Sequence, residues 1–205
     1  MPHAGYLSCL LLAVMGCGST QTAPKHVSED EPVSAKPTET AAAIPPPKHE
    51  AAPPDLGVAA APIDVPKGLL YEGYVLGGLP SKAQIDEALA ADIESALSLM
   101  ARDEPGIAEL ARYATSKGFR YIRFTIAGPE DLSESMAWQF AATLPLLDKP
   151  GIVHSAEGQR VAAIFALKAF FVEERSAEEA LAIGRALGMG EFEKHVRSLL
   201  NPGSR

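Results

Sequence analysis

Ile152-Val153-His154-Ser155-Ala156-Glu157-Gly158-Gln159-Arg160-Val161-Ala162-Ala163 is the stretch on which the fold of this chain turns. An apolar run of strand length ends at His154, a loop with one glycine follows, and a helix rich in alanine begins at Arg160. Consecutive backbone N–H groups in such a loop face inward and meet the positive end of the helix, which suits an anion. Arg160, with its planar fork of donors, can hold two oxygens of a phosphate or sulfate. On residue types alone the plainer explanation is a βα turn with Gly158 at positive φ and Arg160 exposed.

The flanking sequence alternates apolar runs with amphipathic stretches from residue 67 onward. Residues 69–78 predict a strand or hairpin closed by Gly77-Gly78, and Ser81 caps a helix running to about Ala91. A short strand follows over 93–100, and Pro105 opens a helix that ends at Gly118. Residues 119–126 alternate most clearly and predict a strand. A helix from Leu132-Ser133-Glu134 carries Trp138, Phe140 and Leu144, and Pro150 closes the connection to the decisive stretch. After Arg160 come three helices broken near Ser176 and Gly188-Gly190, the later ones expected as core cover. Tyr113, Tyr121 and Trp138 are expected in the core. Strands alternating with helices predict an α/β, three-layer architecture with a mostly parallel sheet and a site at the carboxyl ends of its strands.

Composition separates this domain, 67–205, from what precedes it. Of the 17 prolines, ten lie between Gly18 and Pro66, where almost no side chain is available to bury, so 17–66 is expected to be a disordered, semi-stiff tether. Residues 1–16 are expected to be a signal peptide: Tyr6–Cys17 is an apolar run too short for the roughly 20 residues of a stable bilayer span. Val14-Met15-Gly16-Cys17 resembles a bacterial lipobox, with Met15 larger than the usual residue. That resemblance implies lipidation at Cys17 and a place in the bacterial cell envelope, facing the periplasm, on the outer rather than the inner membrane since Gly18 follows. The alternative is a cleaved leader and secretion. The net charge of -8, without a basic face, argues against nucleic-acid binding. Both cysteines, Cys9 and Cys17, lie in the leader, so the domain has no disulfide framework, no cysteine-based zinc site and no cysteine nucleophile.

Residues 150–170, PGIVHSAEGQRVAAIFALKAF, resemble the signature region of the bacterial beta-lactamase hydrolase-like domains, a branch of the cysteine-dependent protein tyrosine and dual-specificity phosphatase superfamily. Gly77-Gly78-Leu79-Pro80-Ser81 is similar to the Gly-Gly-Gln-Pro-Ser entry to that family's first helix, and 126–132 to the loop before a later helix. The likeness spans essentially 70–190 in one register. It implies a cysteine-phosphatase-like fold, no cofactor or metal, and an anion-binding loop of Ser155, Ala156, Glu157, Gly158, Gln159 and Arg160. By position it makes Asp131 a candidate general acid, with Glu130 beside it. A helix-start acid favoured by the dipole explains Asp131 equally well.

Position 155 departs from the family: serine stands where the resemblance places the nucleophilic cysteine. A thiolate attacks phosphorus in these enzymes, and a serine hydroxyl in the same cradle stays protonated without a base. His154 is a poor base for Ser155, because successive strand side chains point to opposite faces; it is expected buried and hydrogen-bonded to backbone. Glu157 stands where a small polar residue is usual, opposing an anion if turned inward, and Met100 replaces a commonly polar or basic residue. The expectation is a tethered pseudophosphatase that binds a phosphorylated or anionic ligand, or an unidentified protein partner. The alternatives are an active hydrolase using Ser155 and a non-catalytic envelope scaffold without an anion site.

Overall fold

The computed structural model describes residues 56–201; the leader, Cys17 and the proline-rich stretch to residue 55 lie outside the described residues. A six-stranded sheet runs in the order β1-β2-β3-β6-β4-β5. β1 (Ala59–Ala60), β2 (Leu69–Tyr71) and β3 (Tyr74–Gly77) pair antiparallel, whereas β3, β6 (Gly151–His154), β4 (Ser95–Ser98) and β5 (Arg120–Arg123) are parallel. The Glu72-Gly73 turn joining β2 to β3 has both residues at positive φ, 52° and 82°, the geometry of a tight hairpin turn.

Alternation along the strands builds two cores. Leu76, Val153 and Leu97 lie side by side and face α3 (Glu134–Thr143), α4 (Gln159–Phe171), α5 (Ala177–Ala186) and α6 (Glu193–Leu200). Their neighbours Val75, Ile152 and Ala96 face the other way, onto Ile85 and Ala88 of α1 (Lys82–Ala90) and Leu110 and Ala114 of α2 (Ile107–Ser116). Two helices on one face and four on the other make the expected three layers.

Local signals set the helix boundaries. Ser81 and Ser176 each form a capping box, with Gln84 and Glu179. α4 is buried from Val161 to Leu167 without a break, and small residues let its neighbours approach: a Cβ on Gly184 of α5 would stand 3.0 Å from that of Ala166. At the far end of α4, the Lys168 ammonium bonds both Glu72 oxygens, at 3.0 and 2.9 Å, and Glu173, tying the hairpin turn to the helix. Among the described residues no helix is long and apolar enough to cross a membrane.

Three expectations need correction. The folded unit begins before residue 67: β1 pairs with β2, and Ile63 and Val65 are buried, because their branched apolar side chains extend the α1–α2 core despite the prolines around them. The strand expected over 119–126 is paired only from Arg120 to Arg123, after which single bonds from Phe124 N–H and Ile126 N–H carry the chain off the sheet. Trp138 is 51% exposed, since α3 buries Ala137 and Phe140 and the next position after Ala137 turns about 100° outward. Tyr113 and Tyr121 are half-buried.

Candidate functional site

The carboxyl ends of the four parallel strands align at Gly77, His154, Ser98 and Arg123, and the 155–158 loop leaves β6 from the middle of that row. The loop is held on both sides. Ser155 N–H donates to Gly77 O (3.2 Å), Leu79 N–H to Ala156 O (3.2 Å), and Leu99 N–H to His154 O (2.8 Å). Gly158 begins α4 at φ 84°, with its α-carbon against Gly77: a Cβ there would meet the Gly77 carbonyl carbon at 3.3 Å. Left-handed backbone and close approach together call for glycine.

The cradle is smaller than the sequence suggests. Ser155 N–H is spent on Gly77, and Gly158 N–H donates to Ser155 Oγ at 3.0 Å. The backbone N–H groups of Ala156, Glu157, Gln159 and Arg160 find no protein acceptor among the described residues; the last two open α4, where such groups lack helical partners. Ser155 is 1% exposed, and its own hydroxyl proton has no protein acceptor among the described residues. Arg160 donates from Nη1 to Glu104 Oε1 at 2.6 Å, with the two side chains 17% and 20% exposed, and no other described acceptor takes its Nη2 or Nε. Burial alone would raise the Glu104 carboxyl, but Arg160 and the Ala101 N–H (2.6 Å) outweigh it and hold the carboxyl below its ordinary value.

These groups border a cleft of about 270 Å³ lined by Ala127, Gly128, Pro129, Ser155, Ala156, Glu157, Gln159, Arg160, Glu191 and Phe192. Glu157 points outward: its carboxylate is 69% exposed and lies 3.4 Å from Lys67 Nζ. A larger, mostly apolar pocket of about 340 Å³ shares Glu157 with this cleft but does not include Arg160; the one cationic side chain in its lining, Lys67, faces the Glu157 carboxylate.

Asp131 is not brought into the cleft. It ends a 3-10 turn, Pro129–Asp131, and its Oδ2 accepts from Ala127 N–H at 2.6 Å, so the carboxylate closes its own turn. Glu130 instead folds back on a lining residue: a Cβ on Gly128 would stand 2.5 Å from both of its carboxylate oxygens.

His154 is buried on β6, and its Nε2 shares a 2.5 Å hydrogen bond with the Tyr121 hydroxyl, where backbone was the expected partner. Tyr121 on β5 reaches across β4 to His154, which explains the exchange. Burial pushes the imidazole pKa down to about 3, and the nearby Ser155 main chain offsets this only slightly, with no acceptor for Nδ1 in hydrogen-bond geometry among the described residues. Burial likewise pushes the Tyr121 hydroxyl up. No hydrogen bond links the imidazole to Ser155 Oγ, and a histidine with its pKa lowered this far is a weak base, so His154 is poorly suited to take the Ser155 proton.

Glu104, Glu191 and Phe192 escaped the sequence reading. Glu104 had one usable signal: it lies just past the end of a strand expected to be parallel, where ligands gather. Glu191 and Phe192 lie in the turn Gly190–Phe192 before α6 and carry no local signature. Among the described residues no group of three or more histidine, cysteine or acidic side chains could hold a metal ion.

No family model matches the chain, and no curated protein sequence matches it. Solved structures do. TpbA from P. aeruginosa superposes with a TM-score of 0.57 at 12% identity, over 73% of this chain and 92% of that one. TpbA with a cysteine-to-serine substitution, in complex with phosphotyrosine, gives 0.55 at 13%, over 71% and 91%. Kinase associated phosphatase, with its catalytic-site cysteine substituted by serine, gives 0.51 at 17%, over 62% and 84%. The fold is thus the phosphatase-like one that these solved structures have.

Proposed function

We propose that this chain is a membrane-tethered pseudophosphatase that binds a phosphate-like anion, or a partner carrying one, through residues 155–160 with little or no hydrolysis. The carrying observation is the chemistry around Ser155: its Oγ accepts from Gly158 N–H, and the adjacent imidazole is engaged by Tyr121. Serine is a far weaker acid than cysteine, whose ordinary pKa is about 8.5, and nothing beside it removes its proton. An anion still finds donors in the unpaired loop amides, Arg160 and the Ser155 hydroxyl. TpbA holding phosphotyrosine after a cysteine-to-serine substitution supports binding by such a site. Tethering rests on the leader and Cys17, and with it the expected place on the periplasmic side of an outer membrane.

The test couples binding to turnover. Phosphate, sulfate or vanadate at about 100 times Kd is expected to stabilise the wild type by about 2.7 kcal/mol, and Arg160→Met to lose that shift. Wild-type hydrolysis of an aryl phosphate should be negligible. Ser155→Cys is expected to gain slow turnover of p-nitrophenyl phosphate and none of an alkyl phosphate, because Asp131 is not placed to protonate a poor leaving group. Wild-type turnover lost in both Arg160→Met and Ser155→Ala, with a trapped phosphoserine, would establish the active hydrolase instead. Absence of any anion-induced stabilisation would favour the scaffold. Palmitate labelling lost in Cys17→Ala tests the anchor.

A further inference from the structure

The cleft has cationic and hydrogen-donating groups at its floor and carboxylates around them. Arg160 keeps Nη2 and Nε unspent, and Ser155, 1% exposed, keeps its hydroxyl proton unspent. These are donors awaiting an acceptor, independent of the acids nearby. Glu157 and Glu191 line the same cleft, and Glu130 folds its carboxylate onto Gly128, a third part of the lining. Opposing them is Lys67, 3.4 Å from Glu157, while Arg160 is already balanced by Glu104. A free phosphate dianion therefore meets donors only after entering a region whose side-chain charge has its own sign.

We propose, building on the anion-binding reading above, that the ligand is a phosphate monoester with a cationic group close to the phosphate. The phosphate takes Arg160, the Ser155 hydroxyl and the free loop amides, while the cation is attracted to Glu130, Glu157 and Glu191. An acidic neighbour meets like charges and is rejected, which gives the site selectivity through electrostatic complementarity. A basic phosphopeptide and a small zwitterion such as O-phosphoethanolamine share this chemistry.

Fluorescence anisotropy on the full chain separates the possibilities. The probes are a phosphotyrosine peptide flanked by arginines, the same core flanked by aspartates, and the unphosphorylated arginine peptide. The basic phosphopeptide is expected to bind about tenfold more tightly than the acidic one, an advantage that shrinks at high salt. It should also shrink in a triple variant carrying Glu130→Gln, Glu157→Gln and Glu191→Gln, all at exposed positions. Arg160→Met should weaken both phosphopeptides. O-phosphoethanolamine displacing the probe better than inorganic phosphate extends the rule to a small ligand; preference in the peptides alone assigns the cation to flanking residues. Equal, Arg160-dependent binding of both phosphopeptides would overturn this inference and leave the anion site standing. Equal binding of phosphorylated and unphosphorylated basic peptides would overturn both.

Discussion

Arg160 and His154 show how a single side chain can be fixed by a partner distant in sequence. The Arg160–Glu104 pair joins residues 56 apart, and because Glu104 also accepts from Ala101 N–H, it holds the 101–104 turn against the loop. Glu104→Gln is expected to cost about 1–2 kcal/mol, within the usual range for hydrogen bonds to charged groups at a partly shielded site, as read by urea unfolding. It should also reduce stabilisation by sulfate, because the guanidinium is no longer held in place. Tyr121→Phe leaves the buried His154 Nε2 unpaired and is expected to cost about 1–3 kcal/mol. The histidine also sets a direction for acid sensitivity. Its folded pKa of about 3 lies below the ordinary value of 6.5, so the unfolded chain binds the extra proton between those values. That contribution is complete above about pH 6.5 and is lost as the pH falls toward 3, so melting temperature should drop with pH in this window, in Tyr121→Phe as well. The sequence displayed Ser155 and Arg160 because loop and helix start are contiguous. It concealed Glu104, which without the fold is one more acid in a polar turn.

At the scale of elements, what could be read early was what neighbours in sequence determine. Ser81 and Gln84 announce α1, Gly118 marks the end of α2, and 69–78 folds as a hairpin because Glu72-Gly73 supplies two left-handed residues. What could not be read depends on contacts made later. Residues 119–126 keep their alternation throughout, but β4 offers its ladder only as far as Ser98, so pairing stops at Arg123. Trp138 was misplaced because its helix is apolar on more than one side. The α4–α5 contact offers a test of packing over propensity. Gly184→Ala should gain about 1 kcal/mol of helix propensity, yet its new Cβ stands 2.6 Å from Met189 Sδ, which can shift, and 3.0 Å from the Ala166 Cβ, which cannot rotate away. Overpacking costs about 1–3 kcal/mol, so the net is expected to be destabilising by up to about 2 kcal/mol in urea, with Ala166→Gly as a second substitution recovering part of it.

For the molecule as a whole, the folded boundary differs from the compositional one. Proline enrichment continues to Pro66, yet Ile63 and Val65 are buried, and Pro66 O accepts from Gly78 N–H at 2.7 Å beside the 155–158 loop. A chain beginning at Lys67 loses β1, those two side chains and that bond, and is expected to be at least about 3 kcal/mol less stable than one beginning at Leu56. Its anion-induced stabilisation should fall as well, because Gly77-Gly78 loses its support. The sheet order also sets how copies of the domain behave at close quarters. An unpaired strand at the border of a sheet can template the addition of another chain. Here one border is the two-residue β1, and the other is β5, four residues that begin and end in arginine, with Arg120 further anchored to Asp148 at 2.7 Å. At high local concentration, neighbouring copies meet one border of only two residues and another flanked by arginines, both of which disfavour strand addition, so the domain can be crowded without polymerising.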